Sequence, residues 1–445
     1  MSVPNPQPIY SNFRELFKRG FKIDWVTAGF ISITHIILLL GTPFAYWFAP
    51  EGFWKVMLGW TLVHALVACL STTVYSHRLV AHGAAKKIRW PVHVLFGYIG
   101  QVLAIQGSVL NWASMHIVHH GVDRSGKHHL DPYSATWFDA GWRNFLWSHM
   151  LTYFFFHPES AARKKALESK STPILLWQHK LYVPLLIILN FLMPLIVGYL
   201  ITHSVVGSIC LMMASIGGFI LAQHNTWTVN SITHMWGTTK GAISSAKNNY
   251  LWMGPLGEGN HHADHHDHGK DYRNGFGLSG WLLDPTRYVI LFLRLMGLVK
   301  GLHRASRTQE AKIIARRKMN ELKSSFQSSK KAGLDRWTAI ENTLNQHKAE
   351  WVKAASNWER YKNQKRALKM SLKELRRSSG SIPSNSQRAA LDNDVLFADT
   401  LLEKRNELSK RFQELKWDIR EAKLNMKRRK QDFLLAVQLS YMQMT

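Results

Sequence analysis

Hydrophobic and polar positions are unevenly distributed along these 445 residues. Trp25 to Pro50 contains no Asp, Glu, Lys or Arg, and neither does Val56 to His77. Each run is long enough to cross a bilayer core of about 30 Å as a helix. Glu51 and Gly52 mark the short turn between them. Leu181 to Thr239 is a third uncharged run, long enough for two spans, with a hairpin expected near His203 and Ser204. Gly217 and Gly218 would permit close helix packing there. Trp90 to Val122 is also uncharged, and apolarity alone would make it another span.

The histidines change that reading. They cluster beside the apolar runs as His77 and His82, then His116, His119 and His120, then His234, then His261, His262, His265 and His266. Ionisable groups at a membrane are costly and usually functional. Imidazole suits iron, copper, zinc and nickel, and this many ligands is too many for one ion and about right for two. His116, His119 and His120 have the spacing i, i+3, i+4, which puts them on one helix face; His262, His265 and His266 repeat it. Asn230 and His234 also share a face. His77 and His82, five apart, do not align on a straight helix, so His77 is placed in the last turn of the second span and His82 after a bend. Lone membrane histidines such as His35 and His64 read as packed, hydrogen-bonded residues.

Clusters can share a centre only if an even number of crossings separates them. Pro91 to Leu110 is therefore read as a buried or interfacial helix that does not cross. Four spans remain, with both termini and all clusters on one side. Arg14, Lys18, Arg19, Lys22 and the basic stretch Arg163 to Lys170 lie on that side, while the hairpin near His203 has no Lys or Arg. The positive-inside rule makes it cytoplasmic. Residues 1–24 lack a signal peptide's apolar core and are expected to be a cytoplasmic leader.

After His303 the sequence turns polar and helix-prone. Residues 25–303 are expected to form the membrane domain and 304–445 a basic extension. Ala311 to Arg377 and Leu391 to Leu439 read as two helices folded back at the Gly, Pro and Ser break Ser378 to Asn385. Leu401, Leu408, Phe412 and Leu415 recur at heptad-like spacing, which permits a coiled coil. The fold class is an all-α membrane protein with four transmembrane helices, a cytoplasmic histidine-box domain and a C-terminal helical hairpin or coiled coil. Roughly half of the net charge of +27 lies beyond Ser306, which favours anionic lipid, an acidic partner or self-association. Nothing besides charge points to nucleic acid. Cys69 and Cys210 lie inside apolar runs and cannot form a zinc or iron–sulfur site of the usual spacing.

His77-Arg-Leu-Val-Ala-His82, His116-Ile-Val-His119-His120, His224-Asn-Thr-Trp-Thr-Val-Asn-Ser-Ile-Thr-His234 and Gly257-Glu-Gly-Asn-His-His-Ala-Asp-His-His266 occur in that order. Together they resemble the membrane fatty acyl desaturases of the stearoyl-CoA desaturase type, from about Trp25 to about Leu302. The resemblance implies two iron ions held by His77, His82, His116, His119, His120, His234, His262, His265 and His266, with Asn230 acting through water. His261 is the alternative to His262: distance from Glu258 favours the former, the i, i+3, i+4 face the latter. Asp131, Glu258, Asp264 and Asp267 are candidates to orient the imidazoles. The implied activity is insertion of a cis double bond, delta-9, into a saturated acyl chain, most simply an acyl-CoA, with O2 as co-substrate. No cytochrome b5-like segment is fused, so electrons are expected from a separate ferredoxin- or cytochrome b5-like donor. Where the animal acyl-CoA enzymes carry a basic and an acidic residue for CoA, this chain has Ser114 and Met115. Arg143, Lys247 or Arg163 are then the candidates to hold a headgroup, and an acyl-lipid or acyl-carrier thioester is the alternative substrate. Three rival readings stay open: a membrane hydroxylase; a metal transporter, which would place its ligands near mid-membrane on broken helices; and a scaffold built on an inactive desaturase body, against which the full ligand set stands.

Overall fold

The computed structural model describes residues 8–125, 128–238, 245–249, 258–328, 334–379 and 391–444. The chain divides into two units, Met1–Arg304 and Ala305–Thr445.

In the first unit, helices α1 (Trp25–Phe48), α2 (Trp54–Ala81), α6 (Pro173–Thr202) and α7 (Val205–Met235) are each long and apolar enough to cross a membrane. Between them lie α3 (Trp90–Ala104), α4 (Val109–Ser125) and the short α5 (Gly141–His149). After α7 come α8 (His262–Asp267) and α9 (Thr286–Leu295). Asp24 caps α1 by accepting from the Thr27 amide, and Ser204 caps α7 by accepting from the Val206 amide. His203, in the left-handed region at φ 51°, ends α6 and makes the expected hairpin.

The uncharged run from Trp90 bends by 78° between α3 and α4. Ile105 (φ 45°) and Gly107 (φ 83°) form the corner. Gln101 and Gln223 side-chain amides reach the Gly107 and Ile105 carbonyls there, satisfying backbone that a helix would otherwise pair.

The central helix is α7. It buries Leu211, Ile216 and Phe219 among Ala45, Phe53 and Met57. A Cβ on Gly218 would lie 2.7 Å from the His64 side chain, and one on Gly198 would lie 2.6 Å from the Gly207 carbonyl. The close approaches are therefore made at Gly218 and Gly198, while Gly217 has ordinary clearance.

Strand β1 (Ala85–Ile88) pairs antiparallel with β2 (Val299–Leu302), Lys87 opposite Lys300. This short ribbon ties the segment after His82 to the end of the unit. Val74, Tyr75 and Leu79 of α2 pack there with Ile290, Leu293 and Val299. The N-terminal segment is also packed: Tyr10 and Leu16 sit among Trp137, Phe138 and Trp147.

The second unit differs from the expected hairpin. Among its described residues are three helices, α10 (Arg307–Ser328), α11 (Leu334–Ser379) and α12 (Leu391–Met444). The Arg307 amide and Thr308 hydroxyl bind Glu359, so α10 folds back on α11. Arg429 pairs with Glu350 at 3.0 Å, and farther along α11 Lys365 lies 5.3 Å from the Phe412 ring, so α12 runs antiparallel to α11. All three share one core around Leu322, Trp337, Leu344, Trp351 and Phe433. A shared three-helix core replaces a two-stranded coil. The Gly, Pro and Ser break read at Ser378 to Asn385 falls from residue 380 onward outside the described residues.

Candidate metal centre

Nine histidines, all buried except half-buried His82, meet in two groups. His77, His82, His116, His120 and His265 form one; His119, His234, His262 and His266 form the other, with the ligand atoms of each group all within 4.8 Å of one another. His262 joins the second group. Its neighbour His261 lies outside both, its Nδ1 3.1 Å from the Asp264 carboxylate.

Local winding explains the first pair. Residues Ser71–Ala81 of α2 are π-helical, and the His82 amide bonds to the His77 carbonyl five residues back. A π turn puts residues five apart on one face, and such turns recur at functional sites. The rings of His77 and His82 are accordingly 5.0 Å apart, brought together by π winding where a bend was expected.

Within the groups, imidazole nitrogens face each other. His77 Nε2 is 2.8 Å from His265 Nε2, which is also 3.0 Å from His82 Nε2. His82 Nε2 is 2.8 Å from His116 Nε2, and His262 Nε2 is 2.9 Å from His234 Nε2. A neutral imidazole has one N–H and one lone pair. His265 Nε2 cannot hydrogen-bond two other Nε2 atoms that are themselves turned inward. Converging lone pairs of this kind fit a cation. Buried His120 has no hydrogen-bond partner at either ring nitrogen. Burial, then the neighbouring His77 and His82, hold the His265 pKa well below the ordinary value, so its lone pair is available at neutral pH. The donor set fits transition-metal ions, and nine ligands in two groups fit two.

Carboxylates and a hydroxyl fix some rings from outside. His119 Nδ1 donates to Asp131 at 2.9 Å, His77 Nδ1 lies 3.5 Å from Glu258, and His234 Nδ1 is 2.7 Å from the Ser245 hydroxyl. Each leaves Nε2 for the interior. Asp264 serves His261, and Asp267 is half-buried at the end of α8. Asn230 lines the same cavity as His77, His116 and His262, and its amide donates to the Tyr153 hydroxyl at 3.3 Å.

Sequence reasoning missed the support beneath this centre. Arg78 is fully buried and donates to Glu258 at 2.6 Å, to Asp284 at 2.8 Å and to the Tyr272 carbonyl at 3.1 Å. Burial alone would raise the Glu258 carboxyl; the Arg78 guanidinium and the His77 ring bring it well below the usual carboxylate range. The signal was present: a charge directly after His77, at the end of an uncharged span, must be paired if buried. A second missed network joins α1, α5 and α7. His35 Nδ1 donates to the Ile31 carbonyl, His35 Nε2 faces His224 Nε2 at 3.1 Å, His224 Nδ1 faces His149 at 3.0 Å, and His149 Nδ1 faces the Ser231 hydroxyl at 3.1 Å. Because His224 turns its two nitrogens to different partners, these rings form a chain and do not converge on one point.

A cavity adjoins the groups. His77, His116, His262, Asn230 and Glu258 line it at the centre; Thr72, Val229, Asn225 and Cys69 line it farther along α2 and α7. The Asn225 amide donates to Cys69 Sγ at 3.3 Å across this far part. The headgroup candidates lie otherwise. Arg143 is held by Asp139 at 2.7 Å and by the Ser11 carbonyl, Lys247 donates to the Met235 carbonyl, and Arg163 is exposed on a surface helix. Ser114 is buried, its hydroxyl on the Asn111 carbonyl.

The model of the fatty acid desaturase family matches residues 51–274. The chain is 28% identical over 285 residues to the sn-2 palmitoyl-lipid 9-desaturase of Nostoc sp. (strain 36), covering 63% of this chain and 90% of that protein. It is 27% identical over 305 residues to Delta-9 acyl-lipid desaturase 1 of Arabidopsis thaliana, covering 67% and 90%. It is 28% identical over 266 residues to Stearoyl-CoA desaturase 2 of Mus musculus, covering 57% and 68%. With its four apolar helices and its clustered imidazoles, the chain belongs to the fatty acid desaturase family and is an oxidoreductase acting on fatty acyl chains.

Proposed function

We propose that this chain inserts a cis delta-9 double bond into a saturated acyl chain, using O2 and electrons from a separate ferredoxin- or cytochrome b5-like donor. The observation that carries the reading is the meeting of nine imidazoles, in groups of five and four, at one end of a cavity between α2 and α7. Two iron ions bound by those nine histidines would supply the oxidising power needed to remove hydrogen from an unactivated methylene. The chain's own residues do the rest. Asp131 and Glu258 hold His119 and His77 with Nε2 inward. Trp112 stacks on His116 with ring centroids 4.7 Å apart and walls the cavity. Asn230, beside Tyr153, presents a polar group where a water could be held toward the second group. Thr72, Val229 and Cys69 give the acyl chain an apolar path away from the centre.

For the carrier we favour a membrane lipid over the CoA thioester that the stearoyl-CoA type would imply. Ser114 and Met115 stand where the resemblance implies a charged pair, Arg143 and Lys247 are engaged elsewhere, and relatives named for acyl-lipid substrates match most of their own length. We further infer that the histidine groups face the cytoplasm, from the basic residues that precede α1 and follow α5. The test is expression in a host that lacks unsaturated fatty acids, followed by mapping of double bonds in separated lipid classes and in the acyl-CoA pool. A delta-9 bond appearing first in a glycerolipid fits the proposal. First appearance in acyl-CoA would move the carrier to CoA, and a hydroxylated product would replace desaturation with hydroxylation.

A further inference from the structure

Helix α12 has two apolar faces. One packs on the rest of the second unit through Leu415, Phe433 and Val437. The other carries Trp417, Leu424, Leu435, Leu439 and Met442, which are 64%, 55%, 56%, 49% and 68% exposed. Their spacings of seven, eleven, four and three residues keep all five within roughly 60° of one another at 100° per residue, on the side opposite the packed face. Such a stripe is costly to leave in water, and large exposed apolar patches mark interaction surfaces.

The charges beside it decide the occupant. Arg420, Lys427 and Arg428 are exposed along the same side of the helix and outnumber the exposed carboxylate among them, Glu421. A second copy of this face would bring an excess of cations against their own kind. A helix with an apolar stripe, a Trp and basic flanks lies in the interface of an anionic membrane, with rings and aliphatic groups among the acyl chains and cations at headgroup phosphates. Among the described residues at least four helices are long and apolar enough to cross a bilayer, so such a surface is tethered to α12 at high effective concentration. We propose that the Trp417–Met442 face of α12 rests on an anionic bilayer surface. This inference does not depend on the reaction the first unit catalyses.

The test uses the full chain in nanodiscs of phosphatidylcholine, with and without phosphatidylglycerol. Leu435→Cys is labelled with an environment-sensitive fluorophore; the native Cys69 and Cys210 are free but buried, so labelling is selective. Gln364→Cys on exposed α11 is the control. The expected result is a blue-shifted emission, and severalfold stronger quenching by a lipid-borne than by an aqueous quencher, for Leu435→Cys in anionic discs only. Adding Arg420→Gln, Lys427→Gln and Arg428→Gln, which keep helix propensity, should return the label to water. A label that stays aqueous in both discs overturns the proposal. So does equal shielding in neutral and anionic discs, since the flanking cations would then contribute nothing. Shielding that persists in detergent and rises with protein concentration would assign the face to a second copy. Shielding that appears only on adding an acidic soluble protein would assign it to that partner.

Discussion

Replacing Arg78 with Gln should be among the most damaging single changes in the first unit. The guanidinium is fully buried and bridges two buried carboxylates, Glu258 at 2.6 Å and Asp284 at 2.8 Å. Glu258 in turn lies 3.5 Å from His77, so the residue ties the first histidine box to the segment preceding the last. Gln cannot neutralise either carboxylate. Removing one partner of a buried ion pair costs about 3–5 kcal/mol, because it leaves an uncompensated charge. Against a total stability of about 5–15 kcal/mol for a typical domain, that is at least about a fifth. The assay is thermal unfolding of the detergent-purified protein. Arg78→Gln should melt well below wild type, and a triple variant with Glu258→Gln and Asp284→Asn should recover part of the loss. The pH dependence has a definite sign. The folded-state pKa of Glu258 is depressed below its unfolded value of about 4.3, so its contribution is fully present above that pH and is lost as pH falls through the folded pKa. In Arg78→Gln burial alone raises the Glu258 carboxyl, so the variant regains stability by protonation before wild type loses any; the gap should be widest at neutral pH and narrow progressively as the solution is acidified. Equal melting of Arg78→Gln and wild type at neutral pH, or a triple variant as unstable as the sum of its single changes, would refute the reasoning.

Wild-type protein should hold two metal ions per chain by elemental analysis, with zinc able to replace iron in recombinant material. His265→Ala should empty the group of five and His119→Ala the group of four, each abolishing desaturation while insertion into membranes is unchanged; a variant that keeps both metals and full turnover counts against the grouping. Asp131→Asn should weaken metal retention or activity by roughly 10–100-fold, read by chelator titration. Cys69→Phe should fill the far part of the cavity and shift products toward shorter acyl chains; an unchanged product profile would place the chain elsewhere. Truncation after Arg304 should leave metal content intact, and loss of metal would make the second unit part of the catalytic fold.

Much of this was legible because membrane spans and histidine boxes are local signals. The uncharged runs gave four candidate helices, and His203 and Ser204 marked the hairpin through ordinary capping and left-handed termination. The need to bring the clusters together argues for Pro91 to Leu110 as one helix that does not cross; the structure instead breaks it at Ile105–Ser108, with backbone at φ 45° and 83° that the pattern of apolar residues does not signal. What stayed hidden was long-range. Nothing near Arg78 in sequence announces Asp284, 206 residues away. The fold-back of α10 on α11 depends on Glu359 reaching residues 307 and 308, a pairing that helical periodicity does not encode.

The division of ligands between the two groups shows where local spacing stops and geometry continues. Treating i, i+3, i+4 as one face is too coarse. At 100° per residue, i+4 lies about 40° from i on one side and i+3 about 60° on the other, so i+3 and i+4 diverge by about 100°. His116 and His120 accordingly share a group while His119 turns to the other; His262 and His266 share a group while His265 turns away. The two boxes are assigned oppositely. Each group thus takes an i, i+4 pair from one helix and the i+3 residue from the other, completed by His77 and His82 on one side and His234 on the other. Neither α4 nor α8 can move without disturbing both groups at once. That interlocking follows from helix geometry alone once the two helices face each other, and it makes the two histidine groups one structural unit.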